Sequence, residues 1–212
     1  MRRTLWSIVA TLLLLAWPAA RRGEEASVRS VIVLSADAGD PRIAATRRAV
    51  AFWNETLAQM ALPPRFLGPD LVVGSPTLRA AESYAHRISQ DNRRLFAGRA
   101  GPDAPPELAG LAGDVIVLLS TQRIVSFAWP LAERHRYFLA IRTDRAAPLA
   151  NPGVTHNVIA HELGHTLGLT HNGTPTMLMC GACATKFDAT AFLPLTPLDR
   201  ARLLELHSAP LR

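Results

Sequence analysis

At 212 residues the chain is long enough for one domain with a sizeable core and short for two. Apolar residues make up 49% and charged residues 19%, which excludes a disordered chain. The net charge of +6 is almost wholly arginine, since Lys186 is the single lysine. The arginines (Arg47, Arg48, Arg93, Arg94, Arg99, Arg134, Arg136) are scattered with no basic stripe interleaved with aromatics, so no nucleic-acid partner is expected.

In chain order, Arg2 and Arg3 precede a Leu-rich apolar run from Leu5 to Ala20 that Arg21 and Arg22 close. Residues 1–22 therefore read as a secretory signal or, uncleaved, as an N-terminal membrane anchor. The run is short of the roughly 20 residues that span a bilayer, and Pro18 or Trp17 stands three positions before each candidate cleavage point. Both readings export the rest of the chain, as a secreted, periplasmic or membrane-anchored protein, and any membrane contact is expected through this segment alone. Residues 28–208 are expected to form one α+β domain. The β-branched stretch 28–35 predicts a strand, and 42–60, with apolar residues at Ile43, Val50, Phe52, Trp53 and Leu57, predicts an amphipathic helix. Residues 65–73 offer one or two short strands and 77–96 a helix. The Gly-, Pro- and Ala-rich stretch 97–113 reads as a loop. Strands are expected at 114–120, 123–130 and 135–144, with Pro130 arguing for an edge position.

From Pro152 to Leu167 the pattern is a helix, with Asn151 as N-cap and proline at the first helical position. His161 and His165, four apart, fall on one helical face, so their ring nitrogens can meet one ion. Glu162 lies beside that face, placed to reach a water on the ion. Gly168 can adopt the left-handed conformation that ends a helix and turns the chain, bringing His171 back as a third ligand. Three histidines leave zinc an open position, the arrangement of a catalytic site. Chance produces these five positions in about one in a hundred thousand chains of this composition, which decides against coincidence.

The motif H-E-x-x-H-x-x-G-x-x-H, met as "HELGHTLGLTH", resembles the metzincin zinc peptidases, and the "NGTPTMLM" that follows is similar to the methionine turn of their matrixin group. The resemblance makes Met179, eight residues after His171 with Pro175 at the fourth, the turn methionine, and leaves Met177 as a wall or core residue. It implies a metzincin-like fold: a mixed twisted sheet with a long N-terminal helix, a zinc-binding active-site helix, a methionine turn and a C-terminal helix at 195–208. Thr196 is the expected N-cap of that last helix. Asn172 stands where matrixins carry serine. No cysteine precedes residue 180, so no cysteine-switch prodomain is expected, and 120–151 holds too few acidic or histidine ligands for calcium or a second zinc.

One catalytic Zn2+, a monomer, and Glu162 as general base complete the expectation, with a peptide or protein substrate that the matrixin resemblance implies is laid along the edge strand at 124–129. The alternatives are an exported zinc-binding module that recognises peptides without cutting them, and a zinc hydrolase of a non-peptide amide. Cys180 and Cys183 are expected to form a bridge beside the site, against free thiols or an intermolecular link. His156 reads as a surface residue or one behind the ligands, and His86, His135 and His207 as exposed. Phe52 and Trp53 read as core.

Overall fold

The most continuously apolar stretch of the chain forms the middle of a sheet. Strand β3 (Val115–Leu119) is buried at every position. A strand covered on both faces needs no polar alternation, which is why this one reads as an unbroken run. The computed structural model describes residues 28–95, 102–131, 135–145, 150–181 and 191–208. Around β3 lie β1 (Arg29–Ser35), α1 (Pro41–Gln59), β2 (Phe66–Val73), α2 (Pro76–Leu95) and α3 (Pro106–Ala109) before it, and β4 (Phe127–Pro130), β5 (Tyr137–Ile141), α4 (Pro152–Thr166) and α5 (Pro197–His207) after it.

The sheet order is β2-β1-β3-β5-β4. The first three pairings are parallel, and β4 runs antiparallel to β5 along one edge. The α+β class with a mixed sheet, a long first helix and a C-terminal helix is thus present. Residue parity along each strand sorts side chains to the two faces. Val115, Val117, Leu119, Leu139 and Ile141 pack with Ala49, Trp53 and Leu57 of α1 and Ile159 and Leu163 of α4. On the other face Ile116, Leu118, Phe138 and Ala140 pack with Tyr84, Ala85 and Ile88 of α2 and Leu108 of α3.

Helix α1 begins where Asp40 accepts the Arg42 backbone N–H, with Pro41 in the first turn. The buried Arg42 side chain pairs with Asp40 at 2.6 Å and donates to the carbonyls of Ser120 and Arg142, both at 2.8 Å. It thereby ties the C-terminal ends of β3 and β5. Trp53, fully buried, donates its indole N–H to the Ala160 carbonyl of α4 at 2.8 Å. Trp53 is core, as expected, while Phe52 is partly buried and packs against that core.

Several expected boundaries move. The strand at 123–130 pairs only over Phe127–Pro130. Ahead of it, Glu82 on α2 captures Ser120 Oγ and the Thr121 N–H, and Ser126 Oγ takes the Arg142 N–H that a ladder would have used. The strand at 135–144 shortens to Tyr137–Ile141, and His135 has φ of 65°, incompatible with extended backbone. The stretch 65–73 holds one strand, Phe66–Val73, with a register shift between Ser30 and Ile32. Within 97–113, the stretch expected to be loop, α3 forms from the Pro105–Pro106 step and buries Leu108. The N-terminal segment 1–22 lies outside the described residues; among those, no helix is long and apolar enough to cross a membrane.

Candidate metal centre

Helix α4 carries the first two histidines and is fixed at both ends. Asn151 Oδ1 accepts the Gly153 N–H at 2.8 Å. At the other end Gly168 takes φ of 87°, its N–H bonding the His165 carbonyl at 3.0 Å while the Leu169 N–H reaches the Gly164 carbonyl at 3.2 Å. That pair of bonds is the Schellman closure, and it needs a residue free of the left-handed penalty. A Cβ on Gly168 would also lie 2.6 Å from Leu206 Cδ1 of α5. The orphan carbonyls of the last turn find cationic or N–H donors from distant elements: Arg29 of β1 on Thr166, and His207 of α5 on Leu167 at 2.9 Å. His207, expected to be exposed, is therefore half-buried; the helix it belongs to packs on the end of α4. Burial holds its pKa below the ordinary histidine value.

The turn at Gly168 brings His171 back over α4. The three Nε2 atoms form a near-equilateral triangle, His161–His165 at 3.2 Å, His165–His171 at 3.1 Å and His161–His171 at 3.2 Å. His161 Nδ1 lies 2.7 Å from the Leu178 carbonyl and His165 Nδ1 2.9 Å from the Leu169 carbonyl. A carbonyl only accepts, so these Nδ1 atoms carry the protons and the Nε2 lone pairs face inward. Zn–N bonds of about 2.0–2.1 Å at tetrahedral angles put ligand nitrogens about 3.3–3.4 Å apart. At 3.1–3.2 Å the triangle corresponds to N–Zn–N angles of about 100°. Lone pairs converging at this separation are a donor set for a cation, and the three histidines fit a metal ion. Burial, then the neighbouring His165 and His171, push the His161 pKa down to about 4 against the pull of the Leu178 carbonyl. Burial lowers His165 as well. Both are neutral near pH 7, the form that binds metal.

Glu162 is 6% exposed, and burial drives its pKa up to about 8 against a hydrogen bond from the Ala128 backbone N–H of β4. The carboxyl is thus held where the ligand helix meets the edge strand. A divalent ion on the adjacent histidines opposes the shift by favouring the carboxylate.

Met179 is fully buried beneath α4, whereas Met177 is only partly buried. The close approach of Met179 is possible because position 164 is glycine: a Cβ there would lie 2.7 Å from Met179 Sδ and 2.9 Å from Trp53 Cζ2. Gly181 plays the same part for the third histidine, since its Cβ would fall 2.5 Å from His171 Cγ. Neither glycine stands out in the sequence reading; a glycine inside an apolar helix is the local signal that could have flagged Gly164. Asn157, fully buried, is likewise absent from that reading. Its Nδ2 donates to the Gly153 and Ala191 carbonyls and its Oδ1 accepts the Leu193 N–H at 2.8 Å. His156 is buried rather than at the surface, its ring centroid 4.6 Å from that of Phe192 in an edge-to-face arrangement, and Phe192 in turn stacks on Phe52. Cys180 is disulfide-bonded; Cys183, the other cysteine of the chain, lies outside the described residues.

The sequence matches no protein-family model and no curated protein. Among solved structures, the chain is similar to metalloproteinase-II from Bacteroides fragilis, with 12% identity and a TM-score of 0.49 over 85% of this chain and 53% of that one. It is also similar to archaemetzincin from Methanopyrus kandleri, with 12% identity and a TM-score of 0.44 over 87% of this chain and 97% of that one. The chain spans about half the length of the Bacteroides structure. Likenesses this distant decide nothing about chemistry, which rests on the side chains described above.

Proposed function

We propose that the protein is a zinc-dependent endopeptidase of metzincin type, with His161, His165 and His171 holding one Zn2+ and Glu162 as general base. The observation that carries this reading is the Nε2 triangle with a buried, non-ligating carboxyl beside it. Zinc, when bound there, supplies Lewis acidity toward a scissile carbonyl and toward water. Glu162 Oε takes the proton of the attacking water and returns it to the leaving amine, with the charge of the ion favouring its carboxylate form. Ala128 N–H orients that carboxylate. The edge strand β4, unpaired by any other strand on its outer side among the described residues, supports an extended peptide as substrate, since such a peptide pairs through its backbone. Met179 supports the metal floor from below. The disulfide at Cys180 supports work outside the reducing cytosol.

Purified protein is expected to hold one zinc per chain and to cleave an unstructured protein such as casein. Glu162→Ala keeps the zinc and loses about 10²–10⁴-fold in rate, the usual contribution of general base catalysis. Equal cleavage by wild type and variant, or cleavage by neither across a broad peptide library, rejects the peptidase.

A further inference from the structure

We propose that Asn172 is a positioning residue for the third ligand, coupling His171 to the C-terminal helix through Asp199; this rests on the metal-site reading above. Every hydrogen-bonding group of Asn172 is engaged. Its N–H donates to the Met179 carbonyl at 2.8 Å and its carbonyl accepts the Gly181 N–H at 3.2 Å. These bonds, with the Asn172–Cys180 bridge, lay the His171 strand parallel to the exit of the methionine turn. Its Oδ1 accepts the Thr174 N–H at 3.1 Å, and its Nδ2 donates to Asp199 Oδ2 at 3.1 Å.

Asp199 is buried, 6% exposed, and the same Oδ2 accepts the Thr196 N–H at 2.9 Å and the Thr196 hydroxyl at 2.7 Å, closing the capping box of α5. A buried carboxylate oxygen with this arrangement of donors holds its neighbours at defined positions. His171 is the ligand that most needs such help. His161 and His165 stand on one rigid helix, with Nδ1 of each on a backbone carbonyl. His171 follows a turn, is the most exposed of the three, and has the Asn172 knot immediately behind it. Position 172 needs a donor: a carboxylate there would face the Asp199 carboxylate, and alanine would leave Asp199 one donor short.

Asn172→Asp, with Asp199 unchanged, is expected to lower zinc affinity ten- to hundredfold in a chelator competition, the usual effect of disturbing a ligand's support. It should also alter the visible d–d spectrum of the cobalt-substituted protein. The coupling is read from a double-mutant cycle with Asp199→Ala: Asn172→Ala is expected to weaken zinc binding at least tenfold while Asp199 is present and to have little further effect once residue 199 is alanine. A general loss of folding would not depend on residue 199 in this way, nor shift the cobalt spectrum of protein that remains folded. If Asn172→Asp does not fold, Asn172→Ala is read in the same two assays with the same expected loss. Wild-type zinc affinity and an unchanged spectrum in the single variants, or an Asn172→Ala loss of equal size in both backgrounds, overturn the proposal. A wild type that binds no zinc overturns instead the metal-site reading beneath it.

Discussion

Gly164→Ala sets two opposing effects against each other on the ligand helix. On an exposed helix the exchange gains about 1 kcal/mol, because alanine loses less backbone freedom than glycine. Here the new Cβ would meet Met179 Sδ at 2.7 Å, Trp53 Cζ2 at 2.9 Å and Met179 Cε at 3.2 Å. Carbon contacts are optimal near 3.5–4.0 Å, so the overlap with the indole is more than about half an ångström. The Met179 thioether can rotate, though it is fully buried. The Trp53 ring cannot, because it is fully buried and its N–H is bound to the Ala160 carbonyl at 2.8 Å. Relief requires α1 and α4 to move apart. Overpacking of this kind costs about 3 kcal/mol, so packing outweighs propensity by about 2 kcal/mol. For a domain of this size that lowers the melting temperature by about 4–8 °C. The assay is thermal unfolding by circular dichroism with chelator present, so that metal binding does not enter. A variant that melts at or above the wild-type temperature would refute the packing account of Gly164.

Three further outcomes are expected. Gly181→Ala, whose Cβ would lie 2.5 Å from His171 Cγ and 2.7 Å from Nδ1, displaces the third ligand and weakens zinc binding at least tenfold by chelator competition; unchanged affinity means the ring is not seated there. His207 is held below its ordinary pKa by burial, then by the charges of Arg65 and Arg29, against the Leu167 carbonyl. The unfolded chain, with a histidine pKa of about 6.5, therefore takes up the proton first as pH falls, so stability is whole above about pH 6.5 and is lost below it. His207→Gln should shrink the fall in melting temperature of metal-free protein between about pH 7.5 and about pH 5.5, and an equal fall in both proteins rejects this assignment. Asn157→Ala leaves the Leu193 N–H without its partner and takes one donor from the Ala191 carbonyl, and denaturant titration should show a loss of about 1–2 kcal/mol.

What the sequence determined by itself lies within single elements. Helical spacing places His161 and His165 on one face, Gly168 ends the helix, Asn151 and Thr196 open theirs, and an unbroken apolar run makes β3 a buried strand. Each follows from backbone geometry over a few residues, which a local pattern records. The choice of Met179 over Met177 rests on the matrixin resemblance rather than on local geometry, and it is Met179 that lies buried under the helix. Local reading is weakest where a distant group competes for the backbone. Ahead of Phe127, Ser89 takes the Val125 N–H and Ser126 the Arg142 N–H, and the end of α4 draws His207 into half-burial. Only the tertiary structure decided which carbonyls fix the histidine tautomers, that the Ala128 N–H meets Glu162, that Trp53 and Met179 fill the space over Gly164, and that Asp199 supports Asn172. Those contacts join residues that are mostly tens of positions apart in sequence. They arise because α1, α4, α5 and the edge strand must bury one shared core, and the polar groups carried with them must then find partners across it.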